Sequence, residues 1–393
     1  MITIARLAVL LALLALPAAV RAEEGTARRD PQPYELVREL RIRQDQTAAG
    51  ITSAHAEQRA LIARISAQLL NADPKVWSDP KNVRAAVIFV LSGGEPRVLK
   101  SLFAIRNLPG VDDKLLNGAL AYSEGRNAEA AELLKGIDAR KLEPALGGHV
   151  ALVQGNLVAA RDPAAAIERF DEARLLSPGT LVEEAALRRE VFIVAATGDL
   201  ERFERLAADY LRRFSHSVYA GTFRDQFAAE LASDRYTAAK DRLPQLEKAL
   251  ADLPPVQRRD LYLAIAVEAV VKARIPLARL AARNATSLSG ETGREGARAK
   301  VYEAAALVVT DEYDKAIADM ETVTRAGLSA GDAALLEAAR SVAKSVRRWP
   351  DAFTGSAPPA PPEKAGAAPA RDVVALARKS IAAADDVLGE TDQ

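Results

Sequence analysis

A helical pattern that recurs about every 34 to 38 residues is the feature that most constrains the fold of this chain. It is clearest in AIERFDEARLLSPG at residues 166–179, where Ala166, Phe170, Ala173 and Pro178 are spaced by four, three and five residues. These spacings place two small residues and one large apolar residue on a single helix face, and the proline ends the helix. One such helix cannot bury its apolar face alone, so its recurrence predicts a stacked array.

Neighbouring stretches keep the same design. Residues 112–137 contain two helical segments joined at EGRN, and Phe203, Ala207 and Tyr210 repeat the spacing of the first stretch about 37 residues later. Residues 256–288 and 293–327 are more degenerate but are each long enough for one helix-turn-helix unit. The spacing is that of tetratricopeptide repeats and predicts an all-α fold, a helix-hairpin (tetratricopeptide-like) α-solenoid. A helical bundle with similar helix lengths is the alternative, and it is also all-α.

The region before residue 111 is helical in pattern but less regular. Residues 87–91 are rich in β-branched side chains and allow a strand or a helix; the preceding alanines favour a helix that ends with Gly93 in the left-handed conformation. The sequence LSGGEP that follows lacks the lysine of a phosphate-binding loop, so we expect a helix stop. We therefore assign residues 23–110 to an N-terminal helical region and residues 111–349 to the tetratricopeptide-like repeats.

The first residues have the pattern of an export signal. One basic residue precedes an apolar run at residues 7–16, which is too short to span a bilayer and ends before Pro17. Val20 and Ala22 then occupy the positions that signal peptidase reads, so we expect residues 1–22 to be removed on export. An uncleaved N-terminal anchor is the alternative. After cleavage no apolar run is long enough to span a membrane.

The composition changes near the C-terminus. Residues 350–370 are dense in proline and alanine and have no periodicity, which predicts an extended linker. Residues 371–393 predict a C-terminal amphipathic helix whose apolar side carries Val373, Val374, Leu376, Ala377 and Ile381. Such a helix has two candidate docking sites, the solenoid itself or a partner.

The residue content argues against several classes of function. Acidic and basic residues are balanced, at 53 each, and scattered, whereas a nucleic-acid-binding protein carries clustered basic residues. There is no cysteine, no G-x-S-x-G motif, and only three isolated histidines, His55, His149 and His216. We therefore expect no enzyme activity, no metal and no cofactor. A wall-modifying enzyme with an unrecognised active site remains a competing hypothesis.

Arginine and aromatic residues in the middle of the chain are the polar features most suggestive of binding. In tetratricopeptide arrays such side chains engage extended peptides on the first helix of each pair. The alternative is a solvated helix face. Glu183 and Glu184 are explained by pairing with Arg188 along one helix face. The candidate partner-binding residues are Arg188, Arg189, Arg212, Arg213, Tyr219 and Phe223.

Four stretches resemble the MotC family, periplasmic flagellar-motor proteins of motile α-proteobacteria. They are PYELVREL at 33–40, DPKNVRAAVIFVLSGGEP at 79–96, the long stretch GNLVAARDPAAAIERFDEARLLSPGTLVEEAALRRE at 155–190, and YLRRFSHSVYA at 210–220. The resemblance runs from about Tyr34 to about Arg340, so the proline-rich segment and last helix lie outside it.

This resemblance implies a periplasmic protein required for flagellar rotation that acts with the periplasmic part of the stator protein MotB. It implies no catalytic residue. A general cell-envelope scaffold or chaperone unrelated to motility is the alternative function.

Overall fold

The computed structural model describes residues 30–347 except 106–107, 240, 290–292 and 326. Within these residues the chain forms eighteen α-helices and two short 3-10 helices, with no strand. The 3-10 helices are Pro74–Ser78 and Ala139–Lys141. The α-helices are α1 Pro33–Ala48, α2 Thr52–Leu70, α3 Pro80–Leu91, α4 Arg97–Leu102, α5 Asp113–Ser123, α6 Asn127–Leu134, α7 Pro144–Val158, α8 Pro163–Leu176, α9 Leu181–Thr197, α10 Leu200–Arg213, α11 Ala220–Leu231, α12 Asp234–Ala238, α13 Arg242–Leu250, α14 Pro255–Val271, α15 Ile275–Ser289, α16 Arg294–Leu307, α17 Tyr313–Thr322 and α18 Ala330–Arg347.

Side-chain caps determine where the helix pairs turn. Asp112, Asp162 and Asp199 lie at the N-caps of α5, α8 and α10, and each carboxylate accepts a backbone N–H of the first turn. Gly198 ends α9 in the left-handed conformation, with φ of 86°, immediately before Asp199. The turns predicted at EGRN, RDP and TGD are confirmed.

Small residues bring the two helices of a pair close together. A Cβ on Gly118 of α5 would lie 2.5 Å from Leu134 of α6, and one on Gly155 of α7 would lie 2.7 Å from the Phe170 ring of α8. Phe170 is fully buried there. Most helices pack against helices that are close to them in the chain, and the described elements are all helical, which confirms the all-α fold and agrees with a helical-repeat solenoid. The tetratricopeptide-like geometry of the pairs stays a prediction.

Two hydrophobic clusters follow one another along the array. The first runs from Leu36 to Ala186 and includes helices on both sides of residue 110. The second consists of Leu187 and later residues, joined by Ala48 from α1. The N-terminal helical region therefore shares its apolar core with the first predicted repeats.

Helix α1 makes a contact of long sequence separation, because it packs against α9 as well as α2 and α3. The Asp45 carboxylate accepts the Leu181 N–H at 3.0 Å, at the start of α9. The Thr47 carbonyl accepts the Val218 N–H at 3.4 Å. Ala48 is buried among residues of the second cluster. The N-terminal helix thus links the start of the array to its middle.

The helical interpretation of residues 87–91 is confirmed, since they end α3. Gly93 follows with φ of 94°, as expected for a helix stop. Among the described residues no helix combines the length and apolarity needed to cross a bilayer. The predicted signal peptide, linker and C-terminal helix lie outside the described residues.

Candidate functional site

Helix α9 carries three buried carboxylates near the middle of the array. Glu184 accepts a hydrogen bond from the Tyr210 hydroxyl at 2.6 Å and pairs with Arg188, one turn later, at 3.0 Å. Glu183 instead pairs with Arg213 at the end of α10, with an Nη2 to Oε2 distance of 2.6 Å. The predicted pairing with Arg188 is therefore confirmed for Glu184 and wrong for Glu183, because consecutive helix residues face different neighbours.

Glu190, the third carboxylate of α9, lies between two arginines. Arg174 of α8 and Arg202 of α10 each donate to it at 2.8 Å, and both also pair with Asp171. Burial raises the pKa of Glu190, and the negative charge of Asp171 raises it further. The buried acids of α9 thus all have partners on neighbouring helices, and we interpret them as groups that fix helix packing.

Two side chains pack against the Tyr219 ring at the protein surface near α9. The Arg188 guanidinium lies 4.6 Å from the Tyr219 ring centroid, a cation–π distance. The His55 ring of α2 meets the same tyrosine edge-on at 6.1 Å. Arg188 and Tyr219 are partly exposed and His55 is exposed. The structure therefore brings together two of the candidate residues and adds a third side chain from a distant part of the sequence.

Arg189 follows Arg188 and is exposed. Its guanidinium donates to the Ala185 carbonyl at 3.0 Å. Partial desolvation and the adjacent Arg188 charge lower the pKa of Arg189, while the hydroxyls of Tyr122 and Tyr219 lie within electrostatic range of it. We name Arg188, Arg189 and Tyr219 the arginine–tyrosine patch.

The other candidate residues lie apart from this patch. Arg212 is exposed and pairs with Asp209 on its own helix. Arg213 pairs with Glu183 and covers the Phe214 ring at 5.5 Å. Phe223 is fully buried and stacks on Tyr210 at 3.8 Å, so its predicted place on a binding surface is wrong.

An open cleft of about 1140 Å³ lies between α2 and the C-terminal ends of α3, α5 and α7. We name it the α2 cleft. Arg59 and Ile62 line it from α2, Tyr122 from α5 and Asn156 from α7, and Arg161 lines it from the loop after α7. The sequence interpretation missed these residues, because none belongs to a recognisable motif and α2 is distant in sequence from the helices it faces.

His149 of α7 is buried and hydrogen-bonded through both ring nitrogens. Nδ1 lies 2.7 Å from the Ala145 carbonyl and therefore carries the proton, which leaves Nε2 to accept from the Ser92 hydroxyl at 3.0 Å. Burial lowers the pKa of His149 to about 4, and the Arg41 charge adds to this shift. This histidine is thus a neutral structural group at physiological pH.

Metal-binding side chains are not concentrated anywhere in the part of the chain that the structure describes. There, no group of three or more histidine, cysteine, aspartate or glutamate residues is placed to hold an ion. The surface features with functional character are the arginine–tyrosine patch and the α2 cleft. Both are suited to contacts with another macromolecule.

Comparisons with known proteins confirm the family resemblance and correct its extent, because the match also includes the proline-rich segment and last helix. The model of a family described as chemotaxis protein MotC matches residues 1–393. The chemotaxis protein MotC of Rhizobium meliloti (strain 1021) is 35% identical over 350 residues, which cover 88% of this chain and 80% of that protein. No solved structure matches the chain. The chain therefore belongs to the MotC family of chemotaxis proteins.

Proposed function

We propose that this protein is a non-enzymatic periplasmic protein required for flagellar rotation, and that it binds the periplasmic part of the stator protein MotB. Family membership supports a role in motility or chemotaxis, and the family name points to a motility protein rather than an enzyme. The signal-peptide pattern at residues 1–22 supports export.

The observation that carries the binding proposal is the arginine–tyrosine patch. Arginine and tyrosine are enriched among residues that dominate protein–protein binding energy. Arg188 is held in place by Glu184 and by the Tyr219 ring, so little side-chain entropy is lost when a partner contacts it. Arg189 has no carboxylate within 4.0 Å among the described residues, which leaves its charge available to a partner.

Titration of the purified mature protein with the periplasmic fragment of MotB from the same bacterium tests the proposal. The variant Arg189→Glu reverses an exposed charge without leaving a buried partner unpaired, so it should weaken binding and reduce its salt dependence. Arg205→Glu on α10 makes the same change in charge at a side chain that is 60% exposed, and serves as the matched control. Tyr219→Ala should mainly speed dissociation.

A deletion strain provides the physiological test. We expect normal flagella that fail to rotate, with swimming restored by the wild-type gene. N-terminal sequencing of the periplasmic fraction should begin at Glu23. Recovery of the intact chain in the membrane fraction would contradict export with cleavage, and an unaffected swimming phenotype together with no binding to MotB would favour a general cell-envelope scaffold.

A further inference from the structure

The α2 cleft is larger than a site for a small molecule. Its volume of about 1140 Å³ exceeds the roughly 300 to 1,000 Å³ of small-molecule sites. It is open along one side, with partly buried apolar side chains, Ile62 and Leu157, among its lining residues. Dimensions of this kind suit a stretch of polypeptide better than a metabolite.

The cleft also carries positive charge that no acidic side chain of its lining neutralises. Arg59 and Arg161 line it, and neither has a carboxylate within 4.0 Å among the residues that the structure describes. Glu95 is the one acidic residue of the lining, and it pairs with Arg97. Most arginines of the array instead pair with a carboxylate. For example, Arg174 of α8 pairs with Glu190 of α9. A negatively charged ligand would therefore be attracted to this cleft.

Polar groups in the cleft are suited to a peptide backbone. The Asn156 side chain donates to the Tyr122 hydroxyl at 3.3 Å, and its carbonyl oxygen has no hydrogen-bond partner among the described residues. That oxygen is available to a backbone N–H. Tyr122 itself lines the cleft.

We infer that the α2 cleft binds an extended acidic segment of the partner, with Arg59 and Arg161 pairing with its carboxylates and Asn156 with its backbone. This inference rests on the proposed function, since it names the chemistry of the MotB segment that the protein recognises.

The test compares charge reversal inside and outside the cleft. The double variant Arg59→Glu, Arg161→Glu should bind the periplasmic fragment of MotB about tenfold more weakly than wild type and with less salt dependence. The matched control Arg205→Glu, Arg325→Glu makes the same change in net charge at exposed positions outside the cleft, and should bind like wild type. Thermal melts of both variants should match wild type, because exposed substitutions usually change stability by about 0.5 kcal/mol or less.

Overlapping peptides that tile the MotB fragment identify the segment. We expect binding to be confined to peptides of net negative charge and to be lost with the double variant. Wild-type-like affinity of the double variant, or binding only to neutral or basic peptides, would overturn the inference while leaving the proposed function intact. Absence of any binding of the wild-type protein to the fragment would instead overturn the proposed function and, with it, this inference.

Discussion

Acid should destabilise the fold through His149, and the size of the effect follows from its surroundings. The unfolded chain takes up a proton near pH 6.5, whereas the His149 ring, kept neutral mainly by its burial, has a pKa of about 4 in the folded protein. Between these values the unfolded state binds more protons, so the free energy of unfolding falls as the pH falls. The loss is about 2 kcal/mol at pH 5 and approaches about 3 kcal/mol near pH 4.

Urea denaturation at pH 7.5 and pH 5.0, followed by circular dichroism, measures this effect. Other groups also titrate, so the comparison is with His149→Gln, which retains hydrogen-bonding capacity and does not titrate. The wild-type protein should lose about 2 kcal/mol more than this variant between the two pH values. His55→Gln, at an exposed position, is the matched control and should behave like wild type. Equal losses in wild type and His149→Gln, or a His149 titration near pH 6.5 by NMR, would refute the reasoning.

Three further substitutions test the packing of the array by denaturation of the purified protein. Phe170→Ala should lower the free energy of unfolding by about 3 to 5 kcal/mol, because the ring is fully buried; an unchanged midpoint would place it on the surface. Tyr210→Phe should cost about 1.5 to 3 kcal/mol, since it removes the hydrogen bond to the buried Glu184, and a neutral result would show that this carboxylate is satisfied without it. Asp45→Ala should cost about 1 to 3 kcal/mol by leaving the Leu181 N–H unpaired, and no change would mean that water replaces the carboxylate.

The helix pairs in the middle of the chain were predictable because their signals are local. The Gly198 and Asp199 dipeptide ends one helix and begins the next, and the spacing of Ala166, Phe170 and Ala173 marks a buried face. Such signals depend on residues within one or two helical turns. They are therefore readable without knowledge of the tertiary structure.

The binding surface was only partly predictable. Phe223 was assigned to it because it follows the arginines, yet Phe223 and Phe227 are spaced by one turn and are both buried, so their helical spacing was a usable signal for the core. The approach of His55 to Tyr219 depends on how α2 packs against distant helices. No local pattern specifies that packing, and the α2 cleft was missed for the same reason.

The contact between α1 and α9 affects which helices of the array unfold together. In a purely linear array each helix pair depends only on its neighbours, so the ends fray independently of the centre. Here Asp45 bonds to Leu181, 136 residues further along the chain, and α1 cannot detach without exposing the first turn of α9. We therefore expect the segment from α1 to α9 to open as a single cooperative unit with slow amide exchange. The helices from α14 onward contact mainly their near neighbours in the chain, so we expect them to fray from the end of the array.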